Sequence, residues 1–247
     1  MATIDPLIIE LDSVDSTNNY AMRLIDADKA QPGLTIVAGM QTQGKGQRGR
    51  QWLDIPGNSL LMSIITVPQC SLEQQFTFNA SVAVAITEVL NDLYENWNIR
   101  IKWPNDIIIN DKKAGGILIE NIIRGNNWSY CIVGFGLNVL QDQFPAELPF
   151  ATSLKIMSGK IFQIDQLRDK LRTAILDYTS GSFVPEHIMN VYNSRLYQKG
   201  NSQQFTDGAN EWQAIIQSTK QDGALEVQLA DGSITHYKHG TYHWKWE

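Results

Sequence analysis

A chain of 247 residues, 43% of them hydrophobic, has room for one large domain, or a large and a small one, around a substantial core. Its formal net charge of −6 argues against a protein that coats nucleic acid, which would carry a basic face. Two cysteines, Cys70 and Cys131, give no disulfide framework and read as small apolar residues in a reducing compartment.

The N-terminal run MATIDPLIIELDSVDSTN has no basic n-region and no long apolar stretch. No segment reaches the ~18 uncharged residues of a membrane helix. A cytoplasmic protein is expected, with neither membrane nor nucleic acid among its partners. Leu7 to Leu11 reads as a short strand, and Asp15-Ser16-Thr17-Asn18 supplies the residue types that cap a first helical turn. Thr35 to Met40 is a second strand, ending at QTQGKGQRGRQW (Gln41–Trp52), and Ser59 to Val67 is a third, apolar enough to be buried. Ser71-Leu72-Glu73-Gln74 has the spacing of a capping box. It opens a long helix marked by Phe76, Ala80, Ala83, Ile86, Leu90 and Leu93.

Strands follow over Ile99–Trp103, Asp106–Asn110, Gly116–Ile123 and Trp128–Val139. Asn110-Asp111-Lys112-Lys113 and Arg124-Gly125-Asn126-Asn127 are hairpin turns between them, and such short links require antiparallel pairing. Ile164, Leu167, Leu171, Ile175 and Tyr178 mark a further helix, stopped near Gly181. From about Asn201 the pattern changes to short strands at Trp212–Ser218, Leu225–Leu229 and Ile234–Tyr237. They form an all-β module too small for a large core of its own, which is expected to dock on the main domain.

Gly44, Gly46 and Gly49 match the spacing of a dinucleotide-binding turn, but no helix begins within them, and the surrounding strands read as antiparallel. A phosphate-binding loop of the Walker type needs Lys then Ser or Thr after its last glycine, where this chain has Arg50 and Gln51. What remains is a glycine-rich cationic loop carrying Lys45, Arg48 and Arg50. It is either a lid that closes on an anion or a solvated hairpin tip. The second constellation is Lys102-Trp103-Pro104-Asn105-Asp106, followed by Lys113 and Ala114-Gly115-Gly116. The proline makes a rigid corner on which the sheet can position loop residues.

Asp15-Ser16-Thr17-Asn18, QTQGKGQRGRQW, KWPNDIIINDKKAGGILIE, Gly134-Phe135-Gly136-Leu137-Asn138 and Ala151-Thr152-Ser153-Leu154, in that order, resemble the biotin protein ligases. The resemblance implies an α+β fold, a mixed and largely antiparallel sheet with helices of the class II synthetase-like biotin/lipoate ligase type, over residues 1–198. A small C-terminal SH3-like β-barrel would occupy residues 199–247. It implies joining of biotin to ATP, giving biotinyl-5′-adenylate and pyrophosphate, then transfer of biotin to one lysine of a biotin carboxyl carrier domain. ATP and Mg2+ would be required.

By the same resemblance, Ser16, Thr17, Asn18 and Gln41 hold the ureido ring of biotin. Fixed hydroxyl and amide groups suit a neutral cyclic urea. Lys45, Gly46, Gln47 and Gly116 line the biotin site as well. Lys113 contacts the biotin carboxylate and the α-phosphate and, with Arg48, is the catalytic residue, since a preplaced cation stabilises charge gathering at phosphorus. Arg48, Arg50, Trp52, Asn105, Asp106 and Asn138 fall to the nucleotide, with Asp106 as the contact for magnesium or its waters.

Two departures stand out. Gln47 replaces a second arginine found in many relatives, so Arg48 would take over part of its role. Gly115 stands where alanine is usual, beside the expected pocket wall. Some relatives carry an N-terminal winged-helix domain and repress transcription, whereas here the catalytic domain is expected to begin within the first ten residues, without a repressor role. The family includes monomers and dimers, so a homodimer stays open.

A lipoate or octanoate ligase is the nearest alternative, but such enzymes lack a K-W-P-N-D segment. A non-catalytic binding module would leave the lysine and loop idle. His236, His239 and His243 invite a metal reading. At ~3.3 Å per residue of extended chain, His239 and His243 would lie about 13 Å apart, too far for one ion unless the chain folds back, so surface or packing histidines are expected.

Overall fold

The computed structural model describes residues 7–125, 127–180 and 184–246. The chain opens with β1 (Ile8–Leu11), α1 (Thr17–Asp26) and β2 (Thr35–Ala38). β1 and β2 pair in parallel, Ile8 opposite Thr35 and Leu11 opposite Ala38. This corrects the antiparallel expectation around the glycine stretch: the connection is long enough to hold a helix, and α1 carries the chain back to start β2 in the same direction. The unit lies before the glycines, however, and these form a single 3-10 turn, Gln47–Gly49, so no helix faces a pyrophosphate there.

The first sheet is completed by β3 (Ser59–Thr66), β4 (Ile99–Lys102), β5 (Asp106–Ile109), β6 (Lys112–Arg124) and β7 (Asn127–Asn138), in the order β1-β2-β3-β7-β6-β5-β4. Every pairing after β1–β2 is antiparallel. β3 is buried along its whole length, which is why its sequence SLLMSIIT does not alternate. α2 (Gln75–Leu93) follows a 3-10 turn in which the Ser71 N–H donates to Gln74 Oε1 at 3.1 Å, the expected cap.

Asn110 and Asp111 both take positive φ, 47° and 64°, as a two-residue hairpin turn of this hand requires. Lys112 and Lys113 therefore belong to β6 and not to the turn. Asn126 of the next expected turn lies outside the described residues, as do Gly181 and Met1–Pro6, but β6 and β7 pair from Gly115–Leu137 to Arg124–Asn127, the hairpin anticipated.

α3 (Leu154–Ser158), α4 (Ile164–Ser180) and α5 (Pro185–Ser194) follow. α3 was not anticipated because five residues show no period; it forms on a local cap, Ser153 Oγ accepting from the Ile156 N–H at 3.1 Å. α5 was also missed, although Pro185 at its start and buried Ile188, Met189 and Tyr192 carry the signal. One face of the sheet holds the main core, in which Phe78, Val82, Ile86 and Leu90 of α2 meet Leu60, Ile64, Ile107 and Val133, with Leu167, Leu171 and Ile175 of α4 beside them. Each such side chain contributes roughly 1.5–3 kcal/mol on burial. α1 covers part of the other face, Ala21 and Ile25 packing on Ile36, Ile65 and Ile132. Among the described residues no helix is long and apolar enough to cross a membrane.

The C-terminal strands β8 (Ser202–Thr206), β9 (Glu211–Thr219), β10 (Leu225–Leu229), β11 (Ile234–Tyr237) and β12 (His243–Lys245) form a second antiparallel sheet, ordered β11-β10-β9-β8-β12. No ladder joins β11 to β12 among the described residues, so the expected barrel is an open five-stranded sheet. The 238–242 link between them makes a single isolated bridge, His239 to Tyr242. This sheet packs against the rest of the fold, with Trp103 Nε1 donating to the Gly223 carbonyl at 2.9 Å. Asn193 pairs with the Thr219 backbone at 2.7 and 3.0 Å. Phe205, Ile216, Leu225 and Val227 join the main apolar core.

Candidate functional site

The start of α1 builds a polar corner. Outside it, Arg23 and Asn19 hold Asp15, and the guanidinium keeps that carboxyl well below the usual carboxylate range. Inside, Ser16, Thr17 and Asn18 are buried. Gln41 Oε1 accepts from the Thr17 N–H at 2.8 Å and faces its hydroxyl at 3.2 Å. Ser63 Oγ of β3 lies 2.7 Å from Thr17 Oγ1 and 2.6 Å from Asn18 Oδ1. Asn18 Nδ2 donates to the Leu118 carbonyl at 3.2 Å and to Glu120 at 2.7 Å. A Cβ at Gly134 would fall 2.2 Å from Asn18 Oδ1, so only glycine lets the asparagine seat against β7. Ser16 starts the helix without using its hydroxyl as a cap, which leaves that group facing the corner.

The glycine stretch folds as a narrow hairpin. Gly46 N–H donates to the Arg50 carbonyl at 2.7 Å, and Trp52 N–H to that of Gly44 at 2.9 Å. Lys45 Nζ lies 3.5 Å from Glu120 Oε1, tying the loop to β6. Arg48 takes a left-handed backbone and points to the C-terminal sheet, donating to the carbonyls of Gly240 at 3.1 Å and His239 at 3.3 Å. Trp52 turns inward. Its ring lies where a Cβ at Gly136 or Gly116, cross-strand partners in β7 and β6, would come within 2.8 and 3.2 Å, and its buried Nε1 has no partner among the described residues. The corner consequently retains a cavity of only about 30 Å3.

Beyond Trp52 the corner opens into a cleft of about 320 Å3 lined by Lys45, Arg48, Arg50, Lys102, Lys113 and one carboxylate, Asp106. Lys45, Trp52, Gly116 and Leu118 wall both spaces. Lys113 Nζ pairs with Asp106 Oδ1 at 2.7 Å. Its strand is held from the other side, since its N–H donates to the Phe150 carbonyl at 2.6 Å and its carbonyl accepts from Thr152 at 2.9 Å. Burial pulls the pKa of Lys102 down, opposed by Asp106 and reinforced by Lys113 and Arg50. His239, edge-on to Trp103, also has its pKa lowered, first by burial and then by Arg48 and Arg50. A larger hollow of about 490 Å3 adjoins at the junction with the C-terminal sheet, and among the described residues Lys238 is the one lysine or arginine that lines it.

Of the residues singled out from sequence, Ser16, Thr17, Asn18, Gln41, Lys45, Trp52 and Gly116 meet at the corner. Gly46, Gln47, Arg48, Arg50, Asn105, Asp106 and Lys113 line the cleft with them. Asn138 does not. It is buried, its Nδ2 donating to the Thr152 carbonyl at 3.0 Å and its Oδ1 accepting from Gln141 at 3.3 Å, so it braces the segment that holds Lys113. Gly115 faces β7 and not the pocket: a Cβ there would meet the Gly136 carbonyl at 2.9 Å. Sequence reading missed Ser63, Glu120, Gly134 and the C-terminal wall of Tyr242, His243 and Trp244, which lie far along the chain from the motifs they touch. Lys102 stood in view within its motif.

A metal ion held by protein alone does not fit the cleft, where one carboxylate already faces an ammonium and the other charged lining groups are cations. Among the described residues no group of three or more His, Cys, Asp or Glu could hold an ion.

Residues 10–138 match the model of the biotin/lipoate A/B protein ligase family. The bifunctional ligase/repressor BirA of Bacillus spizizenii is 37% identical over 156 residues, 62% of this chain and 47% of that protein. The chain thus spans about half the length of such curated relatives. The biotin–[acetyl-CoA-carboxylase] ligase of Paracoccus denitrificans is 27% identical over 224 residues, 85% of this chain and 90% of that one. The fold is similar to that of the biotin protein ligase from Aquifex aeolicus solved in complex with biotin and ATP. The TM-score is 0.81 at 24% identity, over 98% of this chain and 100% of that one.

Proposed function

The chain belongs to the biotin/lipoate A/B protein ligase family, and from that premise we propose that it activates biotin with ATP and transfers the biotinyl group to a lysine of a biotin carboxyl carrier domain. The observation that carries this reading is the common wall of corner and cleft. A site of fixed neutral hydrogen-bonding groups opens directly onto one rich in cations, and Lys113 lines the second. A neutral urea with an anionic tail suits the first and reaches into the second, where a triphosphate is also favoured.

Ser16, Thr17 and the free amide nitrogen of Gln41 would read the ureido ring, while Asn18, engaged by Leu118, Glu120 and Ser63, keeps their backbone in place. A space of about 30 Å3 admits little more than one water, so the Trp52 ring must leave the corner before a fused bicycle enters. The biotin carboxylate oxygen then attacks the α-phosphorus, the bond to the β-phosphate oxygen breaks, and pyrophosphate takes the electron pair. Lys113 exchanges Asp106 for the phosphoryl oxygens and stabilises the charge they gather. In the second step the carrier lysine, as the neutral amine, attacks the acyl carbon, and AMP departs from it as the amine loses its proton. Magnesium fits as an ion carried by the triphosphate, which needs few protein ligands; Asp106 would be its contact, and the ion would neutralise phosphate charge.

Titration calorimetry with biotin and with lipoate tests the reading. Biotin is expected to bind tightly and lipoate weakly, with pyrophosphate released from ATP only when biotin is present. Tight lipoate binding with lipoate-dependent pyrophosphate release would replace it with the lipoate ligase alternative.

A further inference from the structure

Lys102 ends β4, and its ammonium faces the cleft. Among the described residues it has neither a carboxylate within ion-pair distance nor a hydrogen-bond acceptor, although Lys113, in the same cleft, is paired with Asp106. An ammonium taken partly out of water needs compensation. Here the compensation comes from two indoles at the far end of the chain: the Lys102 Nζ lies 4.7 Å from the ring centroid of Trp244 and 5.2 Å from that of Trp246. Such cation–π contacts hold a cation without neutralising it or engaging its N–H donors.

The cage rests on fixed parts. Tyr197 packs against both indoles at 6.1 and 6.0 Å, and its own N–H donates to the carbonyl of Ile101, next to Lys102. Trp244 Nε1 donates to Gln203 Oε1 at 3.2 Å, which sets the orientation of its ring. Trp246 stacks on Phe150 at 5.1 Å, and the Phe150 carbonyl holds the Lys113 backbone. Lys102 and Lys113 are thus connected through the C-terminal tryptophans. They differ in that Lys113 is already paired with a carboxylate, whereas Lys102 keeps all three donors for a ligand.

We infer that Lys102 binds the β- and γ-phosphates of the nucleotide, the part that leaves as pyrophosphate, and that Trp244 and Trp246 are positioning residues that hold it there. This rests on the ligase reading above. Biotin brings one negative charge, which Lys113 can meet; a triphosphate brings several, and of the three lining lysines and arginines without a carboxylate partner among the described residues, Arg48 is held by the Gly240 and His239 carbonyls, which leaves Lys102 and Arg50. The C-terminal sheet on this account completes the nucleotide site from a segment far in sequence from every motif around it.

The full-length protein and its Lys102→Met, Trp244→Leu and Trp244→Phe variants would be titrated with sodium tripolyphosphate at low salt, and the KM values for ATP and biotin taken from pyrophosphate release. Lys102→Met and Trp244→Leu are each expected to weaken tripolyphosphate binding and raise the KM for ATP about tenfold, with the KM for biotin unchanged. Trp244→Phe keeps an aromatic face and should recover most of the loss. Wild-type tripolyphosphate binding in Lys102→Met would overturn the inference. So would an equal rise of both KM values in Trp244→Leu, or a Phe variant no better than Leu. A wild-type protein that releases no pyrophosphate with biotin would refute the ligase reading instead, and the tripolyphosphate titration would still decide the role of Lys102.

Discussion

The Ser16–Asn18 corner and the 44–52 hairpin face one another across Trp52, and they are held in different ways. In the corner, short side chains bond to β3 and β6, and Gly134 of β7 is the gap into which Asn18 fits. The hairpin is closed by its own backbone, but it is attached to the rest of the molecule through long side chains, Lys45 to Glu120 and Arg48 to the Gly240 and His239 carbonyls. Short side chains lose little entropy on ordering, and lysine and arginine lose much. The end that would read a neutral ring is therefore set in advance by the sheet, and the end that would meet charge can rearrange when charge arrives.

The largest expected effect lies where the two regions meet. Lys113→Ala should lower biotin-dependent pyrophosphate release by about 10²–10³-fold, the usual cost of removing one group that stabilises a developing anion. Biotin affinity should fall far less than turnover and the far-ultraviolet spectrum should be unchanged, and turnover near the wild-type rate would show that Lys113 is not the group involved. Next comes the rigid side. Gly134→Ala forces a methyl against Asn18 Oδ1 and should destabilise the fold by about 1–3 kcal/mol in urea titration, with biotin binding lost along with it. A variant of unchanged stability would mean that the corner yields as readily as the hairpin.

On the mobile side the effects should be smaller. Arg48→Ala removes two hydrogen bonds to the C-terminal sheet and should expose residues 44–50 to faster limited proteolysis, with biotin and ATP together giving less protection than in the wild type. Equal cleavage of both proteins would show that the latch does not hold the loop. The smallest effect concerns pH. The folded-state pKa of His239 lies below the ordinary histidine value, so the neutral form is favoured by folding; its contribution is present above pH ~6.5 and is lost as pH falls toward the depressed value. Thermal unfolding should show a modest loss of stability below pH ~6.5 that His239→Gln reduces. An identical pH profile in that variant would remove His239 from the account.

The same contrast explains what could be read from the chain. Motif residues on regular elements, such as Asp15–Asn18 at the start of α1 and Lys102–Asp106 at the β4–β5 corner, were legible because local residue types set both the backbone and the chemistry. The parallel β1–β2 pair was not, since the turn vocabulary of the glycine stretch says nothing about a crossover upstream of it. Asn138 showed its amide but not its partners: whether an asparagine faces a ligand or a buried Thr152 carbonyl depends on how the 150–153 segment folds back. The contacts of Trp244 and Trp246 with Lys102 depend on docking between segments more than a hundred residues apart in sequence, which no local pattern records.

The most direct measurement follows the α-phosphorus. Wild-type protein incubated with biotin and ATP labelled at that phosphorus should yield labelled biotinyl-AMP that stays with the protein and disappears, as labelled AMP, when a biotin carboxyl carrier domain is added. Label released as ADP, or AMP formed at the same rate without biotin, would contradict a cavity in which the biotin carboxylate and ATP meet beside Lys113.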